Sequence, residues 1–296
     1  MIFGFEDELK DGSNLRTING EEFVLFKSKL GIVKFLNVCT HRGAKLFSPD
    51  SAKKSIFCDY HAASYDKRSG SIINTDKFDQ RLFCTSLLKF ENLHQCGNLV
   101  VDDDFELPPE VVCLLKDADF TELEVIKHEC SQELLIENVL EIEHVNSLHR
   151  KSFVPLGMKS ESPFTVNLEA WGSSLVVFDR VDSSKPIYQH YFIRPNLFVS
   201  LTHNRVGYIG YVEANSEVSS CLRYRFFCGP ELQNKPAIIK KTALAEAQKF
   251  TRQVLFEDKP LVEGQQQNIA YRSEVFLAGD HDQRLAHYFK SIRGVK

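Results

Sequence analysis

Two short segments near the start of the chain each pair a cysteine with a histidine. The first reads Cys39-Thr-His41-Arg-Gly43, and the second reads Cys58-Asp-Tyr-His61. Together they offer two soft thiolates and two imidazoles, which is a metal-binding set. A structural zinc site is one interpretation, but zinc sites usually read C-x₂₋₄-C with a second such pair or with H-x₃₋₅-H. The C-x-H spacing therefore favours a different metal group.

An iron–sulfur cluster explains the same four side chains better. In a Rieske [2Fe–2S] cluster two cysteines hold one iron and two histidines hold the other, and the imidazoles raise the reduction potential above that of an all-thiolate cluster. We therefore predict a redox centre held by Cys39, His41, Cys58 and His61.

A second group of ligand-type side chains lies in residues 137–149. Glu141 and His144 are three apart and would share one face of a helix. His144 and His149 are five apart, about 140° around an ideal helix. Both histidines can therefore reach one metal only if the helix ends or bulges between them. Two histidines with one remote carboxylate form the facial triad that leaves positions open for O₂ and substrate on Fe(II).

The third ligand of such a triad is expected far along the chain. The pair Glu257-Asp258 follows a helix predicted to begin at Pro236, and we favour Asp258 over Glu257. Asp280 and Asp282 are weaker alternatives. By itself an acidic pair is typical of a solvated helix face, and an isolated H-x₄-H is typical of a surface helix. The preceding Cys/His segments favour the metal site.

Length and composition define the class of protein. The 296 residues suffice for two domains, and 43% hydrophobic with 26% charged residues is typical of a globular chain. A formal charge of −4 with dispersed basic residues gives no support for a nucleic-acid partner. There is no run of about 18 apolar residues for a membrane span. The acidic N-terminus and the few cysteines predict a cytoplasmic location.

The order of the elements predicts two domains of different class. Apolar runs at residues 23–26, 31–36 and 98–101 predict strands of an all-β Rieske [2Fe–2S] domain over residues 1–107. The acidic, proline-containing stretch 102–110 is the predicted linker. Residues 108–296 would form a catalytic, mononuclear non-haem iron domain. The fold class is therefore α+β, with a central antiparallel β-sheet packed by helices.

Periodicity places the elements of the second domain. Helices are predicted at residues 133–148, from Pro236 onward and at about 280–292. The predicted strands lie at residues 164–168, 174–178, 188–200, 207–213 and 222–226. Apolar and charged residues alternate in the last of these strands, which predicts a sheet with one face in solvent.

The motifs resemble those of the oxygenase component of Rieske non-haem iron aromatic-ring-hydroxylating oxygenases, closest to the vanillate O-demethylase and dicamba monooxygenase branch. The two Cys/His segments match, with 16 residues between His41 and Cys58. Residues 137–149 resemble the branch's D-N-x-x-D-x-x-H-x₄-H, and residues 256–266 resemble its E-D-x-x-[IV]-x-E-x-Q-Q. The three motifs stand in family order and span most of the chain.

The resemblance implies a terminal oxygenase with a Rieske cluster and a mononuclear Fe(II), which uses O₂ and electrons from NAD(P)H through a separate reductase, with or without a ferredoxin. It implies that the sheet and helices of the second domain pack in a helix-grip arrangement. It also implies head-to-tail homotrimers, in which Glu141 joins the cluster of one subunit to the iron of its neighbour. Asn138 matches an asparagine near that iron. The implied ligands are Cys39, His41, Cys58 and His61 for the cluster, and His144, His149 and Asp258 for the iron.

The implied reaction is hydroxylation or O-/N-demethylation of a small organic substrate, either an aromatic compound or a methylated amine. Glu141 replaces the usual aspartate, as in relatives that act on carnitine and glycine betaine, so the substrate class stays open. Four basic side chains are possible substrate anchors, although a surface or strand-face position is the favoured interpretation of each: Arg180, Arg194, His203 and Arg205. The alternative function is a non-enzymatic Rieske electron carrier or redox sensor with a silent second iron site, although a bare carrier needs only the first domain.

Overall fold

The computed structural model describes residues 2–18, 20–47, 56–74, 86–96, 98–116, 118–153, 162–272 and 281–293. The chain divides into two compact units, Met1–Glu106 and Leu107–Lys296. The division falls inside the acidic, proline-containing stretch 102–110.

The described part of the N-terminal unit is built from antiparallel strands. Six of them form one sheet in the order β1-β8-β7-β4-β3-β2, and two form the small hairpin β5-β6. A single 3₁₀ turn, Glu6–Glu8, follows the first strand. The strands are β1 (Ile2–Phe5), β2 (Gly12–Ile18), β3 (Glu21–Ser28), β4 (Gly31–Leu36), β5 (Ile56–Phe57), β6 (Ser64–Tyr65), β7 (Glu91–Cys96) and β8 (Leu99–Asp102).

Strand β3 carries the core of this unit on both of its faces. Successive side chains of a strand point to opposite faces of the sheet. Phe23 and Leu25 accordingly pack with Phe3 in one apolar cluster, whereas Val24 and Phe26 belong to the cluster that contains Cys39 and Cys58. The continuous apolar run of the sequence therefore reflects a strand covered on both faces, and the predicted strands at 23–26, 31–36 and 98–101 are confirmed.

The C-terminal unit is an antiparallel sheet with helices packed on it, which confirms the predicted α+β class. Its described strands have the order β10-β11-β12-β13-β14-β15-β9. The strands are β9 (Glu124–His128), β10 (Phe164–Glu169), β11 (Gly172–Phe178), β12 (Pro186–Ile193), β13 (Leu197–Thr202), β14 (Val206–Ser216) and β15 (Ser219–Cys228). The helices are α1 (Pro109–Leu115), α2 (Gln132–Leu140), α3 (His144–Ser147), α4 (Arg150–Phe153), α5 (Pro230–Gln233), α6 (Ala237–Gln267) and α7 (Gln283–Arg293).

The core of this unit lies between the sheet and helices α2, α6 and α7. Leu134 and Leu140 of α2 pack with Phe198 and Phe226 of the sheet and with Tyr288 of α7, and all five are buried. Burial of this apolar face is the main stabilising contribution, since isolated helices of this length are marginal in water. Among the described helices, none combines the length and the apolarity needed to span a bilayer.

Three predicted elements differ from the observed ones. The helix predicted over 133–148 ends at Leu140, and the strand predicted over 188–200 is the pair β12 and β13. The long helix α6 does not stop before the acidic pair at 257–258 but continues through Pro260 to Gln267. A proline inside a helix removes one hydrogen bond, and burial of Val262 against the sheet core compensates for that loss.

The face of β15 predicted to lie in solvent is also different. Arg225, one of the charged residues that alternate with apolar ones, is only 3% exposed. Strand β15 lies between β14 and β9, and both of its faces are covered at Arg225. The prediction of a wet face is therefore wrong there, because alternation shows that two faces differ but not what packs on the second one.

We expect Gly172→Ala to destabilise the C-terminal unit by about 2 kcal/mol or more. Gly172 has φ +149° at the start of β11, and a Cβ placed there would collide with the carbonyl oxygen of Phe192 on β12. Gly264 of α6 is the matched control, since a Cβ there has nothing within 4 Å. Gly264→Ala should stabilise the helix by up to about 1 kcal/mol. Urea unfolding of both variants measures the two effects, and a stable Gly172→Ala would contradict the assigned β11–β12 packing.

Candidate metal centres and active site

The two Cys/His segments of the N-terminal unit have the same backbone architecture. The first follows β4, and the second is the turn of the β5-β6 hairpin. Cys39 donates its N–H to the carbonyl of Ala44 over 2.7 Å and accepts from Gly43 N–H over 2.8 Å. Cys58 likewise donates to Ala63 over 2.9 Å and accepts from Ala62 over 2.9 Å. Each cysteine therefore begins an identical tight loop that the hydrogen bonds close.

The corresponding position of each loop has a left-handed backbone. Gly43 has φ +71° and Ala62 has φ +61°. Glycine adopts this conformation freely, whereas a non-glycine residue pays a steric cost and is uncommon there. The alanine at 62 therefore marks a place where the fold imposes the loop shape that positions Cys58 and His61.

The four predicted cluster ligands lie together, with the thiols inside and the imidazoles outside. Cys39 and Cys58 are buried at 2% and 1% exposure, within the same apolar cluster. The rings of His41 and His61 lie 4.7 Å apart between centroids; His41 is half-buried and His61 is exposed. Two buried thiolates beside two imidazoles near the surface fit a [2Fe–2S] group that has one thiolate-ligated and one imidazole-ligated iron.

Tyr65 of β6 adds a polar contact to the thiol side of this site. Its hydroxyl lies 3.3 Å from Cys39 Sγ and 3.1 Å from Thr40 Oγ1. Burial, together with the neighbouring Cys39, raises the pKa of Tyr65. The phenol therefore stays protonated, and its O–H can donate a hydrogen bond to Cys39 Sγ.

In the C-terminal unit, His144, His149 and Asp258 converge on one point. A nitrogen of each ring and a carboxylate oxygen all lie within 4.8 Å of one another. Asp258 Oδ1 is 2.9 Å from His149 Nε2 and 3.6 Å from His144 Nε2. Ligands at right angles around a metal, with bonds of about 2.1 Å, lie about 3 Å apart. The donor set and the spacing therefore fit the facial triad of non-haem Fe(II).

A second carboxylate lies behind each of the two histidines. Glu141 Oε2 is 2.8 Å from His144 Nδ1, and Glu257 Oε2 is 2.7 Å from His149 Nδ1. Carboxylates in this position fix the tautomer and orientation of an imidazole ligand. Both Nε2 atoms are thereby directed toward Asp258.

Two helix ends shape this segment: Glu141 ends α2 ahead of both histidines, and α3 ends at Ser147 between His144 and His149. Helix α2 begins with Ser131 as its N-cap. The Glu141 carboxylate accepts the backbone N–H of Glu143 over 2.5 Å and that of His144 over 3.0 Å. Glu141 thus starts α3 as it ends α2, and His149 follows just before α4. The predicted end of the helix between the two histidines is confirmed.

The remaining predicted site residues are distributed as follows. Asn138 lies near the triad, with its Nδ2 3.4 Å from Asp258 Oδ1. Asp258, the favoured third ligand, is in the triad, and Glu257 is the carboxylate behind His149. Asp282 is buried but is not in this group, and Asp280 lies outside the described residues.

A cavity of about 370 Å³ opens beside the triad, which is near the lower end of the range for small-molecule sites. Its apolar walls come from the sheet and from α4 and α6. Its described lining residues are Asn138, Val139, Glu141, Ile142, His144, Val145, His149, Arg150, Phe153, Ser162, Phe164, Leu175, Val177, Tyr188, His190, Tyr208, Val254, Leu255, Asp258, His281 and Arg284.

The possible substrate anchors are not among these lining residues, which leaves the interpretation favoured for them, a surface or strand-face position. They are Arg180, Arg194, His203 and Arg205. The polar side chains that line the cavity instead include Tyr188 and His190 of β12, Tyr208 of β14 and Arg284 of α7. A usable signal was the spacing of Tyr188 and His190, two apart and therefore on the same face of one strand. Arg284 lies next to Leu285 on an amphipathic helix, where sequence gives no sign of its burial.

Comparison with known proteins agrees with this arrangement. Residues 1–90 match the Rieske [2Fe–2S] domain family. Dicamba monooxygenase bound to dicamba is 13% identical, with a TM-score of 0.66 over 99% of this chain and 95% of its own. A quaternary ammonium Rieske monooxygenase is 18% identical, with a TM-score of 0.68 over 99% and 88%. NdmA of Pseudomonas putida is 16% identical, with a TM-score of 0.69 over 95% and 83%.

No curated protein matches the sequence. The chain carries a Rieske [2Fe–2S] domain and has the fold of Rieske oxygenase α subunits, with an all-β unit followed by an α+β unit. The family resemblance stated from the motifs is thus confirmed at the level of domain and fold.

Tyr65→Phe should lower the reduction potential of the [2Fe–2S] group by about 20–60 mV, the equivalent of one ordinary hydrogen bond. The reason is that donation to Cys39 Sγ favours the more negative, reduced state. Redox titration followed by absorbance or circular dichroism measures the shift. Tyr60→Phe is the control, because Tyr60 is exposed and only its ring contacts His61. Equal potentials for wild type and Tyr65→Phe would contradict the assigned contact.

Glu257→Gln should weaken metal binding at the triad about 10- to 100-fold, because Glu257 orients His149. Burial by itself lowers the pKa of His149, but hydrogen bonds with Asp258 and Glu257 outweigh it and raise that pKa. Protons therefore compete with the metal near neutral pH, and affinity should rise with pH. Co(II) absorbance titrations at about pH 8.5 keep this competition small.

The control for this experiment is Glu246→Gln, which removes an exposed carboxylate from the same helix. Its Co(II) affinity should equal that of the wild type. If Glu257→Gln also bound Co(II) with wild-type affinity, Glu257 would have no part in holding His149.

Proposed function

We propose that the chain is the terminal oxygenase component of a Rieske-type oxygenase system. In this role it uses O₂ and delivered electrons to hydroxylate or O-/N-demethylate a small organic substrate. The observation that carries the proposal is the convergence of His144, His149 and Asp258 beside a cavity, in a chain that also has a Rieske domain.

In this proposal the N-terminal unit is the electron-accepting Rieske domain and residues 108–296 form the catalytic domain. Cys39 and Cys58 hold one iron of the cluster, and His41 and His61 hold the other. The exposure of His61 supports electron entry and exit on the imidazole side, since the thiols are buried. The cluster would supply single electrons.

The triad would hold a mononuclear Fe(II), which supplies the activation of O₂ when bound. The three ligand side chains are two neutral imidazoles and one singly charged carboxylate, and neighbouring side chains hold them in place. Asp258 contributes one negative charge, and Glu141 and Glu257 hold the two imidazoles by their Nδ1 atoms. Apolar residues such as Phe153 and Leu175 line the cavity and exclude water from the reacting part of the substrate.

Glu141 is proposed to link the two metal centres across a subunit contact. One side of its carboxylate holds His144, and the side chain is still 23% exposed, so it can also accept a hydrogen bond from a cluster histidine of a neighbouring subunit. Such a link requires an assembly, and we propose a head-to-tail homotrimer. The quaternary ammonium relative is described in terms of inter-subunit electron transfer. Asn138 positions Asp258 from the other side.

Electrons are proposed to come from NAD(P)H through a separate reductase, with or without a ferredoxin. The relatives named above include a monooxygenase for a quaternary ammonium compound and one bound to dicamba, which supports a small-molecule substrate. We also propose a cytoplasmic location, since the described cysteines are all free thiols.

Iron content distinguishes the oxygenase from the alternative, an electron carrier with a silent second site. The oxygenase should hold about three irons per chain and the carrier about two. Incubation with a surrogate reductase, NADH, O₂ and a panel of methoxyaromatics and methylated amines tests activity directly. Formaldehyde reports demethylation, and product analysis reports hydroxylation. Full iron loading without any product across the panel and without substrate-stimulated NADH oxidation would contradict the proposal.

With iron supplied in excess, so that a weakened triad is still filled, Glu141→Gln should hold about three irons per chain yet lose turnover by at least about tenfold. The amide loses the charge that stabilises His144 and the second acceptor needed for the link to a cluster histidine. Single-turnover reduction of the triad iron, followed by stopped flow, measures the electron-transfer step itself. Glu133→Gln, an exposed carboxylate of α2, is the control. Unchanged electron transfer in Glu141→Gln would remove the link.

A further inference from the structure

A buried arginine with no carboxylate partner among the residues that the structure describes lines the cavity beside the triad. We infer that Arg284 binds an anionic group of the substrate, most simply a carboxylate, so that the chain acts on a small organic acid or on a zwitterion that carries a carboxylate. The inference rests on the proposed function, because it assigns the substrate class for the same cavity.

The first observation is the burial and bonding of Arg284. Its side chain is 1% exposed. Its Nε donates to Ser173 Oγ over 3.1 Å, and its Nη2 donates to His190 Nδ1 over 2.7 Å. Both acceptors are uncharged. Within the described ranges, no carboxylate oxygen lies within 4 Å of the guanidinium as an ion-pair partner.

A buried cation without a counter-ion is unfavourable, and proteins keep such a group only where something compensates it. Burial lowers the pKa of Arg284 to about 10, so the guanidinium is still charged near neutral pH. Two of its five N–H groups are used by Ser173 and His190. The remaining donors match the planar, bidentate geometry of a carboxylate.

The second observation is an unpartnered nitrogen of His190, which lines the same cavity. His190 is 2% exposed, and burial together with the Arg284 cation lowers its pKa well below the ordinary value. The ring is therefore neutral. Since its Nδ1 accepts from Arg284, its proton is on Nε2, and Nε2 has no hydrogen-bond partner among the described residues. The ring thus offers a further N–H donor to a bound group.

Two tyrosines complete this wall of the cavity. Tyr188 and Tyr208 lie on β12 and β14, and on the strand between them Ser200 is paired with His190 and with Tyr208. Burial raises the pKa of both phenols, so both stay protonated. Their hydroxyls interact with each other and with Ser200. The wall therefore presents one cation and several neutral donors, which is the complement of an anion.

The acidic side chains that line the cavity are already engaged at the metal centre. Asp258 and Glu141 contact the two triad histidines. The unpaired donors for a substrate acid are therefore those of Arg284 and His190, so the acid group is held there and the uncharged end of the substrate is directed toward the triad. This polarity selects against a purely cationic amine, which has no partner on the Arg284 wall.

The test compares benzoate with benzamide, its neutral isostere, on the full chain loaded with iron and cluster. Isothermal titration calorimetry should give a benzoate Kd at least about tenfold lower than that of benzamide. In Arg284→Gln the benzoate Kd should rise about 30-fold or more, while the benzamide Kd stays within about threefold. Arg205→Gln, an exposed arginine outside the cavity, should bind both probes like the wild type.

Equal affinity of the wild-type chain for the two probes would overturn the inference, as would an unchanged benzoate Kd in Arg284→Gln. If the glutamine variant does not fold, Arg284→Lys decides the matter. Lysine keeps the positive charge but lacks the two parallel N–H donors of the guanidinium. The benzoate Kd should therefore rise by about 3- to 30-fold, and an unchanged value counts against the assignment.

The outcome is separable from that of the proposed function. Selective benzoate binding by a chain with only about two irons would support the anion site and refute the oxygenase. Turnover of neutral substrates by a chain with three irons but without benzoate selectivity would support the oxygenase and refute the anion site.

Discussion

The C-terminal unit depends on one series of acids and imidazoles, joined by three hydrogen bonds and one longer ion-pair contact. Glu257 holds His149, His149 and His144 both face Asp258 Oδ1, and Glu141 holds His144. Each imidazole thus lies between two carboxylates, which fixes both rings without a metal and directs both Nε2 atoms to one point. A cation placed there would relieve the concentration of negative charge. The side chains come from segments that are far apart in the sequence, and the surrounding fold brings these segments together at this point.

Helices and sheet contribute differently to that convergence. Helix α6 supplies Glu257 and Asp258 one after the other, so that one faces His149 Nδ1 and the other its Nε2. After α2 ends at Leu140, His144 begins the short helix α3, and His149 lies just before the short helix α4. The sheet supplies the opposite chemistry, a wall of donors around Arg284. The cavity between them therefore has an acidic, metal-binding side and a cationic side, which orients any substrate with one charged end.

The N-terminal unit also brings its Cys and His side chains together, but it does so through the backbone geometry of two loops. Its two loops repeat one hydrogen-bond pattern, with a left-handed residue four positions after each cysteine. Backbone geometry, rather than side-chain pairing, sets the positions of the thiols and imidazoles. The sheet beneath these loops is apolar on both faces, so Cys39 and Cys58 are buried while His61 reaches solvent.

The sequence by itself determined the ligand types and the class of fold, because Cys-x-His spacing, strand periodicity and the acid–histidine segment at 137–149 are local properties. It also predicted that the helix must end between His144 and His149. Only the tertiary structure decided that α6 continues past Pro260, that Arg225 is buried and that Arg284, rather than Arg205, lines the cavity. The physical reason is that burial depends on what packs against a side chain from far along the chain. The local sequence around an arginine on an amphipathic helix is the same whether that face of the helix is in solvent or packs against a sheet.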